Sequence, residues 1–190
     1  AEIEGVIVNV DVDVSDTLKV GRITIDGGIV QPEQKLSSAS RPMFANGTVT
    51  INDPGSTSEL TTRNSDALLN LTISGDLKNS KSVSVGNGTL IAQGSFSEND
   101  GSITVDENGV LEFEGTFNNN SGSSLDIGTG DLRVGDSFDN SGSFTASSSS
   151  ENIGRVLFDG DGSPQSLTGN FSGGSSFQSI VVKDPAFVDP

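Results

Sequence analysis

The side chains able to do chemistry in this chain are almost all carboxylates. Its 190 residues include no His, Cys, Tyr or Trp. That composition removes Ser-His-Asp and Cys-His nucleophiles, thiolate and imidazole zinc sites, and disulfides. Glu112 and Glu114 stand two apart, a spacing that puts both on the outer face of one strand. A carboxylate pair can hydrolyse a glycoside, but it needs a cleft and a raised pKa on one member. An outer strand face offers neither, so the chain reads as a non-enzyme. Asp11 and Asp13, with Asp16 just beyond, and the turn Asp159-Gly-Asp161-Gly are the candidate calcium ligands. Calcium takes roughly six to eight oxygens, and Gly-rich turns can add carbonyls to the carboxylates. Neither group has the spacing of an EF-hand loop, and solvated acidic turns are the commoner reading of such residues.

The net charge is −16, from 26 acidic and 10 basic residues. A nucleic-acid partner calls for a basic face, so that class is excluded. The acid is spread along the chain and reads as a solvated, self-repelling surface. No run is long and apolar enough for a membrane helix, and no signal peptide is present. The first residue is Ala, which suggests a processed or excised product.

The elements that must position these side chains announce themselves as a repeat. Gly88-Thr-Leu90, Gly109-Val-Leu111 and Gly130-Asp-Leu132 recur every 21 residues. In step with them run Gly94-Ser-Phe96, Gly115-Thr-Phe117 and Asp136-Ser-Phe138, and then Asn99-Asp-Gly101, Asn120-Ser-Gly122 and Asn140-Ser-Gly142. Each row carries three short stretches of period-2 alternation, separated by the Gly, Asn, Asp and Ser that favour turns. Three strands and three turns in about 21 residues describe one coil of a solenoid. The expected fold is therefore all-β, a right-handed parallel β-helix (β-solenoid) with three short strands per coil. An antiparallel sandwich also has short strands and frequent turns, but does not require one period in three markers.

Stacked coils bring like positions together at the inter-strand spacing of roughly 4.8 Å. The 21-residue period predicts an interior stack of Phe96, Phe117 and Phe138, a side-chain ladder of Asn79, Asn99, Asn120 and Asn140, and an ion pair between Glu112 and Arg133 across adjacent coils.

The period extends over most of the chain, so 1–190 reads as one domain. Residues 1–16 form an N-terminal strand, 17–66 irregular first coils, 67–182 regular coils and 183–190 a Pro-ended tail. Gln31 to Pro42 and Ser56 to Asp66 read as surface excursions, and Ser147 to Ser150 lengthens one turn. The N-terminal stretch alternates Val6, Val8, Val10, Val12 and Val14 with Ile7, Asn9, Asp11 and Asp13, so one face is Val and the other turns acidic. It reads as one long strand, either the first of the solenoid or a bridge that adds to a neighbouring molecule.

Rows such as Gly115-Thr-Phe-Asn-Asn-Asn-Ser-Gly122 and Asp136-Ser-Phe-Asp-Asn-Ser-Gly142 resemble the Phe-x-Asn-x-Gly rows of large bacterial surface proteins. These are filamentous-haemagglutinin-like adhesins and autotransporter passengers. Val156 to Gly169 followed by Phe177 to Val182 is similar to their repeat units. The resemblance covers roughly residues 45–182 and implies a parallel β-helix with an extracellular structural or adhesive role.

No helical cap is evident at either end, and an uncapped solenoid offers a strand template. The expectation is an extracellular filament or surface-layer subunit that forms a homo-polymer by strand addition or coil stacking through the Val strand. The alternative is a stalk or binding module of a larger adhesin that recognises glycans or surfaces.

Overall fold

In the computed structural model, the described residues are 47–51, 59–62, 70–160, 164–171 and 177–183, with the backbone of the strands between Glu2 and Ala45. Their strands form three parallel sheets of nine, eight and seven strands. Sheet 1 runs from Glu2–Ile3 to Ser179–Val182, sheet 2 from Val6–Val8 to Leu167–Gly169, and sheet 3 from Val12–Val14 to Ser143–Thr145. Successive strands enter the three sheets in turn as far as Leu167–Gly169, after which Ser179–Val182 returns to sheet 1, and each strand pairs with its counterpart one coil away. This is the β-solenoid that the repeat predicts. Among the described residues, no helix is long and apolar enough to cross a membrane.

The alternation read from the sequence is the burial pattern. Leu71/Ile73, Leu90/Ala92, Leu111/Phe113, Leu132/Val134 and Val156/Phe158 are buried from sheet 1. Val83/Val85, Ile103/Val105, Leu125/Ile127 and Phe144/Ala146 are buried from sheet 3. Each large side chain buried this way contributes on the order of 1.5–3 kcal/mol, but only because another coil covers it. The glycines that open the rows sit where backbones of adjacent coils approach. A Cβ on Gly130 would lie 2.7 Å from the Gly109 carbonyl oxygen, and one on Gly115 would lie 2.5 Å from that of Gly94. A side chain at either corner would push the coils apart.

Sheet 2 departs from the expected register. Asn99 pairs with Asn119, not Asn120, and Ser97 pairs with Phe117. The ladder is therefore Asn79–Asn99–Asn119–Asn140, with Nδ2 to Oδ1 distances of 2.7, 2.8 and 2.7 Å. Asn120 lies at the turn and donates to Asp100 instead, at 2.8 Å. Because side chains alternate faces, the same one-residue shift turns Phe96 outward, where it is 39% exposed. The aromatic stack consists of Phe113, Phe117 and Phe138, with ring centroids 4.0 and 5.6 Å apart. The cause is turn length. From the last inward residue of sheet 1 to the first of sheet 2 the chain takes five steps after Ala92 and four after Phe113, so a spacing of 21 in one sheet becomes 20 in the next.

Three other readings change. The stretch Val6 to Val14 is not one strand: Val6–Val8 lies in sheet 2 and Val12–Val14 in sheet 3. Asn9 and Asp11, turn-favouring types, fall between them. Gln31 and Pro32 belong to a sheet 3 strand, Ile29–Pro32. Within the expected excursion at 56–66, Glu59–Thr61 forms a sheet 3 strand and Leu60 is buried. The polar neighbours of Leu60 hide a strand that needs only one inward residue.

The ladder assignment has a direct test. Asn119→Ala removes two donations and two acceptances inside the stack and is expected to cost at least about 1–3 kcal/mol in urea unfolding. Asn120→Ala is expected to cost less than about 0.5 kcal/mol. Equal losses would contradict the register.

Candidate functional site

The side chains with chemical potential gather on the outer face of sheet 1 and on the corner leading into it. In register across the coils, Thr72, Ile91, Glu112, Arg133 and Leu157 form one outward column. Glu112 and Arg133 meet as the sequence predicts, with Nη1 to Oε2 at 3.5 Å. The Arg133 Nε is buried without a hydrogen-bond partner, so the fork engages by one arm only. Burial pushes the Glu112 carboxyl above the usual range, Arg133 pulls it back, and Asp159 and Glu114 push it up again. Glu114 lies just past the strand, exposed, and accepts from Gln93 Nε2 at 2.8 Å. Glu112, Glu114 and Asp159 line a shallow groove of about 310 Å³ floored by Phe113, Gly135 and Gly160. Two carboxylates thus gather beside a third whose pKa burial raises, a grouping that the spacing of Glu112 and Glu114 only half reveals, since Asp159 joins it from two coils away.

Of the candidate calcium ligands, Asp159 is exposed at this groove. Asp13 lies in the strand Val12–Val14, and Asp11 and Asp161 fall outside the described residues. Among the described residues, no three carboxylates are arranged to hold a metal ion. Of the candidate interface residues, Val6 and Val8 lie in the terminal strand of sheet 2 and Val12 and Val14 in that of sheet 3. Val10 falls outside the described residues.

A second groove, of about 420 Å³, crosses three coils at the corner between sheets 3 and 1. Its floor is Asn108, Gly109, Thr129 and Gly130, and its wall is Glu151, Asn152 and Ile153. Arg155 holds Asp131 through Nε at 2.8 Å and Nη2 at 2.7 Å. That bidentate pairing raises the pKa of the guanidinium further above its usual value. The longer turn at Ser147 to Ser150 is an ordered wall. Ser148 and Ile153 form an antiparallel bridge, and Asn152 Nδ2 reaches Glu107 at 2.7 Å, two coils away. The sequence gives little sign of this pair, because the extra residues in the turn set Asp131 and Arg155 24 positions apart.

The third feature is the C-terminal end of the stack. Phe171 and Phe177 close over the core, 4.6 Å from each other, with Phe171 against Phe138 and Phe177 against Phe144. Beside this plug, Leu167, Ile180 and Val182 sit at inward register positions but are 36, 45 and 65% exposed. With Phe158 they line an apolar notch of about 160 Å³.

No known family pattern, characterised protein or solved structure is detectably similar to this chain.

The electrostatics of Glu112 can be checked by titration. A carboxyl whose pKa is raised by folding adds stability below its unfolded pKa, and that contribution is lost as pH rises through the folded pKa. Relative to Glu112→Gln, the natural chain is expected to lose stability across the acid range as pH rises. With the Arg133 pairing and partial solvation, the amplitude should be under about 1 kcal/mol. Parallel stability curves for the two proteins in pH-dependent thermal unfolding would contradict the assignment.

Proposed function

We propose that the chain is a structural subunit that works outside the cell, one unit of a filament or surface layer built by end-to-end stacking of β-solenoids. The observation that carries this reading is the state of the stack's C-terminal end. Core columns that are buried through the coils from Val49 to Phe158 finish there in Leu167, Ile180 and Val182, all exposed, on strands paired on one side only among the described residues. Natural sheets usually blunt such edges with charge, proline or a covering segment. At the other end, Glu2–Ile3, Val6–Val8 and Val12–Val14 are likewise paired on one side only among the described strands. The Phe-x-Asn-x-Gly rows, the even spread of acid and the lack of Cys are in keeping with an exported surface protein, as in the adhesins and autotransporter passengers that the rows resemble. Calcium, if it takes part, would act as a bridge at acidic turns such as Asp159.

A second reading, a stalk or binding module of a larger adhesin, draws on the polar groove bounded by Asn108, Asn152 and Arg155. Its mixed donors and acceptors suit a glycan or a polar surface.

Negative-stain electron microscopy separates the two. The purified chain, with and without calcium, is expected to form filaments or stacked rods, and a chain lacking residues 1–16 is expected to remain as short single rods. Single rods in every sample, at all concentrations, would remove the filament reading and direct attention to glycan binding at the polar groove.

A further inference from the structure

The polar groove at the corner between sheets 3 and 1 owes its wall to one inserted hairpin. Residues 147–154 fold on themselves: Ser148 bridges Ile153, the Ser149 N–H donates to the Asn152 carbonyl at 2.7 Å, and the Gly154 N–H donates to the Ser147 carbonyl at 2.8 Å. Ser147 to Glu151 are all exposed, so hydrogen bonds rather than burial hold this wall in shape. Asn152 ties it to Glu107, and Arg155 is fixed by its two bonds to Asp131. The backbone of the floor is already spent. The N–H groups of Val110, Asp131 and Arg155 donate to the carbonyls of Gly88, Gly109 and Gly130, one coil earlier in each case. Recognition in the groove therefore falls to side chains.

We propose, resting on the binding-module reading, that this groove holds a neutral glycan, one built of uncharged sugars. Its volume of about 420 Å³ lies in the range of small-molecule sites. The hydrogen-bonding capacity left in it is mixed. Asp131 engages two of the five N–H groups of Arg155, whose side chain is 51% exposed, so three donors remain. Asn108 adds an exposed amide, Thr129 a hydroxyl, and Asn152 keeps its amide oxygen after donating to Glu107. A sugar hydroxyl both donates and accepts, so it matches such a set. Ile153 is 50% exposed in the wall and offers an apolar surface to the C–H face of a sugar ring. Charge selects against anions. Asp131 already neutralises Arg155, Glu151 adds acid to the lining, and the chain carries −16, so a phosphorylated, sulfated or sialylated ligand would meet repulsion. An extended peptide is recognised through a row of unpaired backbone groups, and those of this floor are paired between coils.

Binding of the full chain to printed oligosaccharides of glucose, mannose and galactose, beside sialylated and sulfated ones and a set of extended peptides, tests the ligand class. Retention is expected on neutral oligosaccharides only, with an affinity that added salt leaves unchanged, since no ion pair forms with the ligand. Asn108→Gly removes the amide without straining the backbone, because Asn108 has a φ of 64°. That variant and Ile153→Ser are each expected to weaken binding about two- to ten-fold, the worth of one hydrogen bond or a small apolar contact. Asn118→Ala, which removes an outward amide on sheet 2, is expected to change nothing. Circular dichroism would verify that each variant keeps its sheets. Undiminished glycan binding by both groove variants would overturn this site and leave a glycan-binding module standing. Preference for acidic glycans or for peptides would overturn the ligand class. No retention on any of the surfaces would remove the binding-module reading together with the site.

Discussion

The column Asn79–Asn99–Asn119–Asn140 is the constraint to which the rest of the stack accommodates. A buried amide left unpaired costs several kilocalories, roughly 2–7 kcal/mol by transfer, and these four are fully shielded by the coils. They survive because each can be satisfied by the next. Asn79 Nδ2 donates to Asn99 Oδ1 and to the Ser102 carbonyl, and Asn99 repeats the pattern with Asn119 and Ser124. Oδ1 of the first two accepts in turn from the backbone two residues on, Lys81 for Asn79 and Gly101 for Asn99, so these two amides also shape their own turns. An apolar column tolerates sliding at modest cost. An amide column does not, since a shift of one residue in a strand turns its Asn outward and leaves the buried amides on either side without their partner.

That asymmetry explains what could and could not be read from the sequence. The three-sheet solenoid, the inward columns of sheets 1 and 3 and the Glu112–Arg133 pair were legible because two-residue alternation and the mean period survive small errors in phase. Sheet 2 was not legible to the residue. Counting by 21 aligns Phe96 with Phe117 and Asn99 with Asn120, and each alignment is wrong by one. Between a buried Phe with an exposed Asn column and an exposed Phe with a satisfied Asn column, the chain takes the second. Leaving one Phe at the surface forgoes about 1.5–3 kcal/mol. Breaking the amide ladder would strand more than one polar group, each at about 1–3 kcal/mol. A sequence count carries no energies, so it could not make that choice.

The outer face was less legible for a different reason. Cross-coil partners depend on the number of residues in each turn, and turns are where this chain varies. Asp131 and Arg155 are 24 apart because the loop that holds Asn152 against Glu107 intervenes. The same insertion lifts the wall of the polar groove, so the feature that obscured the pairing also made the site. Phe171 and Phe177 were hidden in another way. They lie where a sheet 3 strand would be sought, yet they act as side-chain plugs over the Phe138 and Phe144 rings rather than as ladder members.

A parallel stack has two unlike ends, and this is the property that bears most on function. Every strand points the same way around the coil, so one end cannot substitute for the other, and copies joined through unlike ends all face in one direction. The ends differ in cover as well. At the C-terminal end Phe171 and Phe177 cover the Phe138 and Phe144 rings, while Leu167, Ile180 and Val182 are exposed. Cover is therefore uneven among the described residues of that end. The charge of −16 acts against contact everywhere else along the rod. Its repulsion reaches about 8–10 Å at physiological salt, far enough to keep rods from clumping side by side. The acidic surface is interrupted at the C-terminal end by exposed Leu167, Ile180 and Val182 and by Lys183, and there the repulsion is weakest.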